Sequence, residues 1–157
     1  MKFIPVLLIC TLLISCKESG PNEAVELPSE TQERAAECFV NYSGRDTIEM
    51  RMHRVGDSVT GDLIYHWFER DGNTGTFTGI FIGDTLRTEY EFQSEGLISI
   101  REEIFIRRGD SLISGYGPVV MKNGKQVFEN RASVNFDNSL VLVLSDCNDL
   151  KIDKSLQ

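Results

Sequence analysis

The sequence predicts an all-β fold, an antiparallel up-and-down meander that closes into a barrel of about eight strands. Turn signals recur evenly, at Gly44-Arg45, Gly56-Asp57, Asp71-Gly72, Gly83-Asp84, Glu95-Gly96, Gly109-Asp110, Asn123-Gly124 and Asp137-Asn138, each 12 to 15 residues after the last. The runs between them are rich in β-branched and aromatic residues. Short strands joined by tight, evenly spaced turns favour hairpin after hairpin over Greek-key crossings.

The elements follow in order. Residues 38–54 read as one long strand bulged at Gly44, and further strands are expected over 58–69, 74–82, 85–92, 97–108, 111–117 and 139–145. Cys38 opens the first and Cys147 follows the last, so a disulfide between them is expected in an oxidising compartment. That bond also constrains topology. In a meander with an even strand count, the start of the first strand and the end of the last lie at one rim, so the bond favours an even count of about eight over the odd number of runs.

Residues 1–16 carry an address. Lys2 supplies a positive start, Phe3 to Ile14 is almost wholly apolar and too short to span a bilayer comfortably, and Leu13-Ile14-Ser15-Cys16 follows. This resembles the bacterial lipobox, which implies cleavage before Cys16 and lipid attached to its thiol. Cys10 lies in the segment that would be removed. With Lys17 rather than Asp after the anchor, the sorting rule for such proteins implies the outer membrane of the cell envelope rather than the inner. The expected organisation is a signal peptide over 1–15, a lipid anchor and flexible tether over 16–37, the barrel over 38–147 and a C-terminal tail over 148–157. Ser29 with Gln32 has the form of a capping box, so a short helix over 30–37 competes with irregular chain.

Composition narrows the function. The chain has 157 residues, with 24 acidic against 16 basic side chains and a net charge of −8. Nucleic acid is excluded as a partner, because phosphate binding needs clustered cations. His53 and His66 are the only histidines and neither has a metal spacing with Cys. No phosphate loop, nucleophile elbow or dinucleotide fingerprint occurs. No metal, cofactor or catalytic residue is therefore assigned.

Register arguments select the candidate site. A three-residue loop Ser94-Glu95-Gly96 would oppose Phe92 to Ile98, Tyr90 to Ile100 and Leu86 to Ile104. The other face would then gain the pairs Glu89–Arg101 and Arg87–Glu103. A two-residue loop would oppose Glu89 to Glu102 and set Arg101 beside Tyr90, so the first register is preferred. Two-residue turns at Gly83-Asp84, Gly109-Asp110 and Asp71-Gly72 extend that face. One transverse row then holds Ile64, Gly79, Thr88, Glu102 and Gly117, with His66 and Tyr90 in the next. A carboxylate between small residues leaves room for a ligand. The candidate ligand contacts are thus Glu102, Thr88, Tyr90, His66, Gly79 and Gly117. The alternation fails over 58–69, where Leu63, Tyr65 and Trp67 are as apolar as Ile64 and Phe68; a bulge at Gly61 or a cover over the outer face is required.

The stretch from Leu63 to Phe105 resembles small bacterial lipoproteins that share the pattern L-x-Y…D-x-N-x-G…Y-x-F-x-S-E-G-x-x-S-x-R-E…F. It matches here at Leu63, Tyr65, Asp71, Asn73, Gly75, Tyr90, Phe92, Ser94, Glu95, Gly96, Ser99, Arg101, Glu102 and Phe105. The resemblance brings no assigned activity. In shape the expected domain looks like a lipocalin-type barrel, without the Gly-x-Trp signature of that family. Three functions are expected to compete, of which a hydrolase ranks last. One is a lipid-anchored binding module for a small, partly apolar ligand in the barrel interior. Another is a protein-binding or inhibitory lipoprotein facing a cationic envelope enzyme such as a muramidase. The expected partners are the membrane, through lipid on Cys16, and a small molecule or envelope protein, with the chain monomeric.

Overall fold

The computed structural model describes residues 35–152. The expectations for the signal peptide, Cys16 and most of the tether lie outside them. Ala35 and Ala36 are irregular and Glu37 already belongs to the first strand, so the described end of the segment read as a short helix is not helical.

Gly-Asp dipeptides set three of the hairpins. At Gly83, for example, φ is +61° while Asp84 stays in the ordinary region, the two-residue geometry that glycine in the first position permits and that matches strand twist. Turns of this length join β1 (Glu37–Ser43) to β2 (Asp46–Val55), β2 to β3 (Ser58–His66), β4 (Asn73–Ile82) to β5 (Thr85–Ser94), β5 to β6 (Leu97–Arg108), and β6 to β7 (Ser111–Ser114). A short hairpin follows, β8 (Val119–Lys122) and β9 (Lys125–Phe128), before β10 (Val141–Ser145). β10 pairs antiparallel with both β7 and β1, and β5 with β6, which closes an eight-stranded antiparallel barrel from β1 to β7 and β10. β8 and β9 lie outside it. They are joined to the wall by one parallel pair, Arg101 to Gln126.

The count of eight holds for a different reason than the one expected. Residues 38–54 are two strands, not one bulged strand, because Gly44 (φ +63°) with Arg45 makes a turn closed by Ser43 and Asp46. The even number places the start of β1 and the end of β10 at one rim, and the Cys38–Cys147 disulfide joins them there, with Cα atoms 5.1 Å apart.

Two hairpins keep the expected register. Phe81, Gly79 and Phe77 oppose Leu86, Thr88 and Tyr90, and Ile106 opposes Ile113. Two do not. The β3–β4 connection is a loop over residues 67–72, anchored by Phe68 N donating to Asp46 Oδ1 (2.7 Å) and by the Arg45 guanidinium stacked on the Phe68 ring. Leu63 and Tyr65 therefore oppose Gly75 and Asn73, and they turn inward in place of Ile64 and His66. At the tip of β5–β6, Glu95 (φ +51°) and Gly96 (φ +77°) form a two-residue turn with both residues left-handed. Ser94 then opposes Leu97, Glu89 opposes Glu102 and Tyr90 opposes Arg101, the arrangement that charge pairing had disfavoured.

The barrel interior is filled. Phe39, Met50, Leu63, Phe77, Tyr90 and Phe105 are each 2% exposed or less and belong to one continuous cluster. The outer face of β1–β3 carries a second cluster of Cys38, Val40 and Ile64 under Leu150 and Ile152. Among the described residues, the apolar outer side of β3 is thus covered by the segment after β10. Glu49 is fully buried in the same region, between Val40 and Ile64 in the register, and its Oε2 accepts from the Lys151 backbone N–H (2.8 Å). Burying Leu150 and Ile152 contributes about 1.5–3 kcal/mol each, so residues 148–152 are part of the domain.

Candidate functional site

The β5–β6 register decides which side chains face inward. A strand's side chains alternate, so one residue of slip exchanges Glu102 for Glu103. Arg101, Glu103 and Phe105 point into the barrel; Glu102 and Ile104 point out. Inside, Arg101 Nε donates to Glu103 Oε1 at 2.6 Å, and the Tyr65 hydroxyl donates to the same oxygen at 3.1 Å. The guanidinium lies 4.8–5.3 Å from the ring centres of Phe92, Tyr65 and Tyr90. Tyr90 donates to the Leu63 carbonyl (2.6 Å) and Thr88 to the Glu103 carbonyl (3.2 Å). Tyr65, Tyr90 and Phe92 thereby surround the guanidinium of Arg101.

This interior cluster binds itself. Burial, then the Glu103 carboxylate, pushes the Tyr65 hydroxyl well above its ordinary pKa, against the lowering effect of Arg101. Burial raises Tyr90 as well; Arg101 opposes the rise and Glu103 adds to it. For Arg101, burial alone would lower the pKa, but Glu103 and then Tyr65 outweigh it and the group stays charged. A phenol whose folded-state pKa exceeds its unfolded value of ~10 contributes stability that is complete below pH ~10 and lost as pH rises towards the folded value. Of the four tyrosines, Tyr65 and Tyr90 are expected to stay protonated at pH 10 and to ionise only as the barrel opens. Absorbance of phenolate near 295 nm against pH, beside circular dichroism, checks this. Full ionisation of all four tyrosines with the fold intact would contradict the buried placement.

The outer wall is different. Thr78, Ile80, Arg87, Glu89 and Glu102 project from β4, β5 and β6 to floor a groove of about 450 Å³, whose far side is Lys125, Val127 and Arg131. An adjoining recess of about 310 Å³ is lined by Ile82, Thr85, Arg87, Ile104, Arg131, Ala132 and Phe136. The arm that forms the far side is built locally. Asn123 (φ +53°) and Gly124 (φ +78°) turn β8 into β9, and Asn130 Oδ1 caps a short 3-10 turn over Arg131–Ser133 by accepting from Ala132 N (3.0 Å). The arm is held to the wall by charge. Lys125 Nζ meets Glu89 at 2.5 Å, Arg131 Nε meets Glu102 at 2.5 Å, and Phe128 N donates to the other Glu102 oxygen at 3.1 Å.

The predicted contacts are thus divided between two faces. Thr88 and Tyr90 are buried inside, as expected. Gly79 opposes Thr88, and a Cβ there would lie 2.7 Å from Thr88 Cγ2, so the glycine serves close approach of the wall; both residues lie along the groove. Glu102 faces outward and holds the arm. His66 is exposed at the end of β3, and Gly117 lies in the arm near Phe128, outside the barrel strands. Sequence reasoning missed Arg101 and Glu103 as interior residues and Arg87, Lys125 and Arg131 as groove residues. The signal for the first two was the Glu-Gly dipeptide at 95–96, which is a two-residue turn signal in its own right. Among the described residues no group of three or more His, Cys, Asp or Glu is placed to hold a metal ion. No family model, no curated protein and no solved structure matches the chain.

Proposed function

We propose that the protein is a lipid-anchored envelope binding module that takes a small, partly apolar ligand in the groove between its barrel wall and the β8–β9 arm. The observation that carries this reading is the contrast between the two faces. The interior is filled and its polar groups bond to one another, whereas the outer wall offers a recess of small-molecule size with mixed polar and apolar lining. The lipobox supports the anchoring. The second reading, a protein-binding or inhibitory lipoprotein that meets a cationic envelope enzyme such as a muramidase, is favoured by one observation. The Gly-Asp turns set Asp57, Asp84 and Asp110, all exposed, at the rim that also carries the disulfide.

Native mass spectrometry of the chain from Lys17 tests the first reading. A bound small molecule is expected on the wild-type protein and is expected to be lost from Thr78→Trp, which fills the groove from an exposed position without adding charge. An adduct retained by that variant would place binding elsewhere, and a protein partner lost on Asp84→Lys would favour the second reading.

A further inference from the structure

We infer that the groove is a carboxylate site, with Arg87 as the receptor and a ligand that carries its carboxylate on an apolar body. This deepens the reading proposed above and rests on it. Arg87 projects from near the start of β5, with Ile80 opposite on one side and Ile104 on the other. It is half-buried and lines both the groove and the adjoining recess. Among the described residues no carboxylate pairs with it. The acids nearest on its face are taken: Glu89 by Lys125, and Glu102 by Arg131 and the Phe128 N–H. An unpaired, half-buried guanidinium is conspicuous in a chain with eight more acids than bases.

Desolvating a cation without a partner is unfavourable, and an incoming anion removes that cost. The planar fork of Arg suits a carboxylate held by two parallel N–H···O bonds. With Arg131 and Lys125 already neutralised, the site offers one net positive charge, which matches a monoanion better than a phosphate dianion. Ile80, Ile82, Ile104 and Phe136 flank Arg87 and give the rest of the ligand an apolar wall. The same chemistry is carried by a fatty acid and by the C-terminus of an apolar peptide.

Two probe pairs separate these sources. Decanoate is titrated beside 1-decanol, and N-acetyl-Leu-Val-Phe with a free C-terminus beside its amide. Binding is followed by NMR shifts at Ile80 and Ile104 in the chain from Lys17. At least one acid is expected to bind, at least tenfold more tightly than its uncharged counterpart and at least tenfold more tightly than to Arg87→Gln. Arg87→Lys, which keeps the charge and loses the fork, is expected to fall between. Whichever acid binds names the source. Binding of neither acid at millimolar concentration overturns the inference, as does equal binding to Arg87→Gln. If the native adduct is lost in Thr78→Trp and unchanged in Arg87→Gln, the groove reading stands and the carboxylate site falls. If the adduct survives in Thr78→Trp, the groove reading itself fails.

Discussion

Arg101→Met is expected to lower the unfolding free energy by about 3–5 kcal/mol, because it leaves the Glu103 carboxylate unpaired in the barrel. The pair is short at 2.6 Å, and its side chains are only 24% and 11% exposed. Tyr65 still donates to Glu103 in the variant, but a single neutral hydroxyl does not replace a cation. The guanidinium's contacts with three aromatic rings are lost as well. A double variant distinguishes the charge penalty from lost packing. Arg101→Met with Glu103→Leu removes both charges, and it is expected to recover most of the stability lost in the single variant, since an apolar pair of similar volume substitutes well for a buried ion pair. Urea melts of wild type, both single variants and the double variant give the coupling. A single variant within about 1 kcal/mol of wild type would mean that water screens the pair, as at an exposed site.

That pair also explains where the sequence could be read and where it could not. The meander, the closing disulfide and the β4–β5 register were legible because each rests on local chemistry: glycine at a left-handed turn position, alternation within one hairpin, and two cysteines at the ends of one domain. The β5–β6 register was misjudged for a non-local reason. Opposing Glu89 to Glu102 costs energy in an isolated hairpin. Here Lys125 and Arg131, about thirty residues further along, neutralise each of them. Likewise Ile64 read as interior because its cover, Leu150 and Ile152, comes from the other end of the chain. Arg101 read as a surface charge, since nothing in the spacing of residues 97–108 shows that rings from β3 and β5 converge on it. The candidate carboxylate Glu102 was thus identified with its face reversed, and the groove it helps to build was invisible until the arm was placed against the wall.

Opening the Cys38–Cys147 bond is expected to cost about 4 kcal/mol, comparable to losing the interior ion pair. The bond spans 109 residues, and in the chain-entropy account a cross-link of that length removes much of the freedom of the unfolded chain. Its native-state role adds a local signature. β10 reaches the barrel only after the arm, and it closes the wall through three residue pairs to β1 and three to β7. Cys38 opposes Ser145 at the end of the β1 ladder, and Cys147 begins the short 3-10 turn that leads to Leu150 and Ile152. Without the bond, the seam between β1 and β10 becomes the weakest line in the barrel, and the cover over Val40 and Ile64 loses its near anchor. Cys38→Ala with Cys147→Ala avoids burying new hydroxyl groups. In that variant, amide exchange is expected to speed first in β1, β10 and residues 147–152, while β4–β6 keep their protection until global unfolding. Denaturant melts of the oxidised protein and the variant measure the total, and exchange mapping measures the order. A loss below about 1 kcal/mol would show that residual structure in the unfolded chain already does the work of the cross-link. Uniform loss of protection across all strands would show that the barrel opens as one unit rather than at the β1–β10 seam.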